Sequence, residues 1–191
     1  MPPKVRITKE DIIKTAVELV RERGAEAVNA RAVAAALNCS TQPVFSNFAT
    51  MEDLQEAVLQ EAYGFYLEYL QKEAESGKYP RYKSFGMAYI RFAAEERELF
   101  KLLFMRDRRG GSLLPSPDFT ASVEMIMEAN GLSRKRAERL HMEMWACVHG
   151  IATMQATSYL VLEWELISEM ITEVYKGVCA RHIEEAKHDG N

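Results

Sequence analysis

Apolar residues recur along this chain at intervals of three and four almost throughout, which is the spacing of one face of an α-helix. Ile12, Ile13, Ala16, Val17, Leu19 and Val20 form a broad stripe that stops at Gly24. Thr8 is placed to cap that helix, with Asp11 near its positive end. Val33, Ala34 and Leu37 mark a short Ala-rich helix, and Val44 and Phe48 a second short one. After Thr50, the positions Leu54, Val58, Ala62, Phe65 and Tyr69 predict a helix to about Glu75, roughly 36 Å long at ~1.5 Å per residue. Ser76-Gly77-Lys78-Tyr79-Pro80 breaks it. Helices over 84–94 and 97–105 follow, then an irregular stretch over 106–118 and a helix ending at Asn130-Gly131. Ser133 to about Tyr159 reads as a long helix with Leu140, Met144, Val148 and Ile151 on one stripe. After Leu162 a last helix carries Ile167, Ile171, Val174 and Val178 at spacings of four, three and four. Nothing alternates with the period of a strand, so the predicted fold is all-α. Met1 to Ile7 reads as a loose basic arm (Lys4, Arg6), and His188 to Asn191 as a frayed tail.

The two short helices carry the most chemistry. Residues 29–48 read as a helix-turn-helix, whose second helix is built to lie in a DNA major groove. Asn38 supplies a left-handed residue that stops the first helix, and Ser40 is a good N-cap for the second. Pro43 is tolerable only in a first helical turn. With Val44 and Phe48 facing inward, Thr41, Gln42, Ser46 and Asn47 are left outward. A core helix would not leave so small and polar a face.

Charge sharpens the picture. The chain of 191 residues has a net charge of −4. Residues 1–50 hold seven Lys/Arg against five Asp/Glu, a net of +2, and the remainder seventeen against twenty-three, a net of −6. A basic head on an acidic body suits a protein that touches phosphates at one end. Cys39, Cys147 and Cys179 are odd in number and widely spaced, which favours reduced thiols over a disulfide framework or a zinc site. No apolar run approaches the ~18 residues of a membrane span, and no signal-peptide core opens the chain. The expectation is a soluble, cytoplasmic protein with no membrane partner, no metal and no cofactor.

Residues 8–59 resemble the DNA-binding domain of the TetR family of bacterial transcriptional repressors. The features that carry the likeness are Thr8-Lys-Glu-Asp-Ile-Ile, the helix end Arg23-Gly24, the entry Asn29-Ala-Arg31, the aromatic pair Phe45 and Phe48, and Glu52-Asp-Leu54. A second echo, Trp145-Ala-Cys-Val-His149-Gly150, is similar to the Trp-His-Gly motif in the C-terminal domain of one TetR subgroup. The resemblance implies a three-helix, homeodomain-like head over residues 1–50 and a helical ligand-binding and dimerisation domain over 51–191. It also implies that the Phe45 position is normally a Tyr whose hydroxyl bonds a phosphate, and that Met51 stands where many members carry a phosphate-pinning Lys. Lys4, Arg6 or Lys9 could compensate.

Position makes Thr41, Gln42 and Pro43 the base readers. Gln42 can pair bidentately with adenine, and the Pro43 ring or Thr41 methyl can pack on a thymine methyl. Asn47 and Phe45 would grip the backbone, with Asn29 and Arg31 at the N-terminus of the preceding helix. The competing reading is that the two phenylalanines only pack the head; it is stronger for Phe48 than for Phe45.

Nine of the ten methionines lie from Met51 onward. Met and aromatics can line a malleable cavity. Tyr66, Tyr89, Phe92, Phe104, Met144, Trp145 and His149 are the candidate lining, ordinary core being the bland alternative for each. The acidic body offers few fixed cations for a strongly anionic ligand, so a largely apolar molecule is expected. His141 and His149 are two turns apart, roughly 12 Å, too far to share a metal. Each reads as hydrogen-bonded structure, and Gly150 as a site of close helix approach. Arg106, Arg108 and Arg109 read as a solvated loop. The seam Ile167, Ile171, Val174 and Val178 predicts a homodimer through a four-helix bundle.

Together these readings describe a regulator, most simply a repressor, that leaves a palindromic double-stranded DNA operator when a small molecule binds its body. One alternative is a body that binds a protein partner instead. An enzyme is disfavoured: the chain has no phosphate loop, nucleophile elbow, metal-ligand spacing or acid pair with a base.

Overall fold

The computed structural model describes residues 7–106 and 117–189, and among these the secondary structure is helical with no strand. The helices are α1 Lys9–Arg23, α2 Ala30–Ala36, α3 Gln42–Asn47, α4 Met51–Glu75, α5 Arg81–Glu95, α6 Arg97–Phe104, α7 Pro117–Asn130, α8 Arg134–Ala156 and α9 Trp164–Asp189. A single 3-10 turn, Ala25–Ala27, joins α1 to α2. The Lys4/Arg6 arm, Arg108 and Arg109 with most of the 106–118 stretch, and the end of the tail lie outside the described residues.

Local chemistry sets most of these boundaries. Thr8 and Asp11 form a reciprocal capping box at α1, the Asp11 amide donating to Thr8 Oγ1 and the Thr8 amide to Asp11 Oδ2. Thr50 and Asp53 repeat that exchange at α4. Asn29 accepts from the amides of Arg31 and Ala32 at the start of α2. At the far end of α2, Asn38 sits at φ 52. The Cys39 amide reaches back to Ala34 and the Asn38 amide to Ala35, the paired bonds of a Schellman stop. α8 stops the same way, with Ser158 at φ 55 and Ala156 its last residue, three before the expected Tyr159. α5 begins at Arg81 rather than Ser84, because the turn closes directly on Pro80, whose carbonyl takes the Ser84 amide. Ser40 is not the cap of α3. Thr41 holds that position with helical dihedrals and no side-chain bond, and Pro43 removes one of the donors a cap would have served.

Two compact units emerge. The first comprises Met1–Glu68 and Glu95–Arg106, and so extends past residue 50 to take in the first two-thirds of α4 and all of α6. Its core joins Ile12, Val17 and Val20 of α1 to Val33, Val44 and Phe48 of the helix-turn-helix, Leu54 and Val58 of α4, and Leu99 and Phe100 of α6. Burying a large apolar side chain contributes about 1.5–3 kcal/mol each. Arg21 clamps Glu96 with two bonds of 2.9 and 3.0 Å while stacking over the Phe65 ring, which fixes the start of α6 to α1.

The second unit comprises Tyr69–Ala94 and Asp107–Asn191. Met87, Ile90 and Phe92 of α5, Ile126 of α7, Leu140 and Ile151 of α8 and Ile167 of α9 are fully enclosed. Gly86 lets α5 approach α8 closely: a Cβ there would sit 3.3 Å from Val148. At Gly150, the expected point of close approach, a Cβ would meet nothing within 4 Å in this chain. His182 is completely buried, with Nε2 3.2 Å from Glu143, which also takes a 2.6 Å bond from Arg181.

Candidate functional site

In the first unit, α3 packs through Val44, with Phe48 buried just after its last turn. Gln42 and Ser46 are exposed, Thr41, Pro43 and Asn47 are half-buried, and Phe45 is 54% exposed. The two phenylalanines therefore separate: Phe48 is core, and Phe45 stands on the outer face beside Gln42. Two polar side chains bond back to their own helix, Ser46 Oγ to the Gln42 carbonyl and Asn47 Nδ2 to the Pro43 carbonyl. Gln42 makes no such bond. Arg31 is exposed two residues beyond Asn29. The Asn29 carboxamide is spent on its own backbone, accepting at α2 and donating to Ala27. Lys9 places its ammonium 5.0 Å from the Phe48 ring centre. That cation lies beside the end of α3, where the sequence offers only Met51.

The second unit contains a cavity of about 630 Å³ among α5, α7, α8 and α9. Its apolar walls are Met125, Ile126, Met144 and Ile171, with the rings of Tyr82 and Tyr175, 5.6 Å apart, completing them. The Tyr82 hydroxyl and His141 Nδ1 share a 2.9 Å bond. Burial, reinforced by Tyr175, holds the Tyr82 phenol well above its usual range, and burial pushes His141 down. Both stay neutral at physiological pH.

His141 makes stability pH-dependent with a definite sign. The unfolded imidazole titrates near 6.5 and the folded one lower, so the unfolded chain binds the extra proton first. Stability is complete above pH 6.5 and falls as pH drops from there toward the folded value. Its neighbours, Tyr82 and Phe119, are uncharged and cannot offset the loss. Thermal melts between pH 7 and 5.5 are expected to show this decline, and His141→Asn to flatten it; an equal slope in the variant would locate the effect elsewhere.

Of the seven residues expected to line a ligand site, Met144 faces this cavity. Tyr66 and Phe104 belong to the first unit, edge to face at 5.1 Å. Phe92 is sealed in the core against Tyr69. Tyr89 bonds His149 Nδ1 at 2.9 Å through its hydroxyl. Trp145 is 45% exposed and lies flat on His149, ring centres 4.8 Å apart. Its position one residue from Met144 turns it about 100° around the helix, out of the cavity. Tyr82, Lys83, Met125 and Tyr175 were missed. They come from three helices far apart in sequence, and only a three-dimensional path brings them together.

The four residues of the expected dimer seam divide into two pairs. Ile167 and Ile171 are buried within their own chain, Ile171 against the cavity, while Val174 and Val178 are partly exposed. Periodicity located an apolar stripe, and the neighbouring helices of the same chain cover its first half, Ile167 and Ile171. Among the described residues of the second unit, exposed apolar surface is offered by Met142, Trp145, Ala146 and Gly150 on α8, Tyr159 to Val161 in the turn, and Leu166 on α9. The signal was in the sequence, for no Asp, Glu, Lys or Arg occurs from Met144 to Leu162. No group of three or more metal-ligating side chains assembles among the described residues, and no helix there is long and apolar enough to cross a membrane.

Known proteins align with both units. Residues 12–58 match the family model described as bacterial regulatory proteins, tetR family, and residues 82–174 match the one described as tetracyclin repressor-like, C-terminal domain. The crystal structure of a TetR-like transcriptional regulator from Rhodococcus sp. RHA1 superposes with a TM-score of 0.65 at 15% identity, covering 95% of this chain and 97% of that one. No curated protein matches the sequence significantly. The helix-turn-helix and the helical body thus each fall within one family, and the chain belongs to the TetR family as a DNA-binding transcriptional regulator, not an enzyme.

Proposed function

We propose that this regulator is a homodimeric, cytoplasmic repressor that holds a palindromic operator through α3 and is released when a small, mainly apolar molecule enters the second unit. The observation that carries the effector reading is the cavity itself. Its volume lies within the ~300–1,000 Å³ of small-molecule sites, and its walls combine adaptable methionines with phenol rings. Release is then a population shift, which requires the effector to bind the DNA-free arrangement more tightly than the DNA-bound one. The division of labour follows: residues 1–50 for DNA, 51–191 for effector and partner.

Thr41, Gln42 and Pro43 read bases, while Arg31, Phe45 and Asn47 meet the backbone. Asn29 acts indirectly by capping α2. The uncovered face of α8, with Trp145 at its centre and glycine at position 150, supports the dimer. A soluble protein rarely leaves such a surface bare, and a glycine there lets a second helix approach closely.

Fluorescence anisotropy on a site selected from random duplexes tests the reading. Gln42→Ala is expected to cost about 1–3 kcal/mol on the preferred site and relax base choice there, whereas Asn47→Ala weakens all sequences alike. Equal loss on operator and random DNA for Gln42→Ala would remove it from the readers. A panel of small organic molecules, none of which releases the operator, would remove the effector.

A further inference from the structure

The cavity is not uniformly apolar. Among the described residues its lining includes two cations, Arg81 and Lys83, and no Asp or Glu, although the chain from residue 51 onward carries a net of −6. The Lys83 ammonium donates to Ser168 Oγ at 2.6 Å and Thr172 Oγ1 at 2.8 Å. Hydroxyls orient an ammonium but do not neutralise it. An ammonium has three donors, and the third has no acceptor among the described residues. Its other neighbour is the face of Tyr79, 4.8 Å away. Both cations stand in the first turn of α5, which contains no acid to offset them. The Asn130 side chain on the opposite wall is already engaged, donating to the Ile126 carbonyl and Tyr175 hydroxyl and accepting from Cys179.

We infer that the effector is an organic acid: an apolar body seated against Met125, Ile126, Met144 and Ile171, and one compact anionic head bonded to Lys83. The inference rests on the cavity being the effector site. A half-buried lysine without a counter-ion costs free energy that an incoming anion repays. The hydroxyls of Ser168 and Thr172 already hold the ammonium in place, so little ordering is left to the binding step. The head must be compact, because Lys83 has one donor left and Tyr82, Tyr175 and Asn130 are committed to partners of their own.

Two dyes that share a ring system test this on the full-length protein. 1-Anilinonaphthalene-8-sulfonate carries an anionic head, and N-phenyl-1-naphthylamine lacks it. Fluorescence titration is expected to give the sulfonate at least about tenfold tighter binding, the worth of one charge-assisted hydrogen bond. Lys83→Met should erase that preference by weakening the sulfonate alone, and Lys83→Arg should keep most of it, provided circular dichroism shows all variants folded. Ala129→Trp, which fills the cavity wall, should weaken both dyes. If wild type binds both equally, or Lys83→Met leaves the preference intact, the anionic subsite is overturned while the cavity stands. If Ala129→Trp leaves both affinities unchanged, the cavity is not the binding site, and the effector reading falls with the inference.

Discussion

Trp145→Glu is expected to convert a dimer into a monomer and to lower affinity for a two-half-site operator by at least about a hundredfold, with the fold intact. The side chain is 45% exposed and stacks on His149, so a carboxylate there meets water in the monomer and costs little. At the centre of an apolar interface the same carboxylate would be desolvated without a partner, opposite its own symmetry mate, a penalty of several kcal/mol. Operator affinity follows because two linked heads gain about 10²–10⁴ over one by effective concentration. Affinity for a single half-site should not change. Light scattering at micromolar concentration reads the mass, and anisotropy reads both DNA affinities. A Trp145→Glu protein that remains dimeric would place the interface elsewhere. One that stays dimeric and loses only effector response would return Trp145 to the ligand site.

The ends of α1 and α2 were legible because they are decided within four residues. Thr8 with Asp11, Asn29 ahead of α2, and Asn38 in a left-handed conformation are each a local exchange of hydrogen bonds, complete without the rest of the chain. The outward polar face of α3 was legible for the same reason: six residues with one buried position, Val44, leave few ways to pack. What the sequence did not disclose is which neighbour covers which stripe. Ile167 and Ile171 have the spacing of a dimer seam, yet this chain's own helices bury them, and Trp145, on a stripe with two histidines, stays outside. Tyr66 and Phe104 looked like cavity lining by residue type, but they close the first unit, because α6 folds back to the head through a clamp between residues 75 apart, Arg21 and Glu96. Lys83 was invisible among seventeen Lys and Arg in an acidic body. Its meaning comes from having hydroxyls rather than carboxylates within reach.

Phe48→Ala is expected to cost about 3–5 kcal/mol, and Phe45→Ala less than about 0.5 kcal/mol, although the two residues are three apart in a single turn of chain. Phe48 is 3% exposed and closes the core of the head behind α3; its removal leaves a cavity that helices of seven and six residues cannot collapse to fill. It also takes the ring from beneath Lys9. Phe45 is 54% exposed and contributes little to that core. In the proposed DNA-binding reading its work lies at the duplex, where an exposed ring would pack on sugar or a thymine methyl but cannot bond a phosphate. Phe45→Tyr restores the hydroxyl that the family resemblance places there, and should tighten binding several-fold to specific and random duplexes alike, as a backbone contact must. Chemical denaturation separates the two alanine variants, and anisotropy at fixed salt reads the tyrosine. A destabilised Phe45→Ala protein, or a Phe45→Tyr protein with unchanged affinity for both duplexes, would show that position 45 does not face the phosphates.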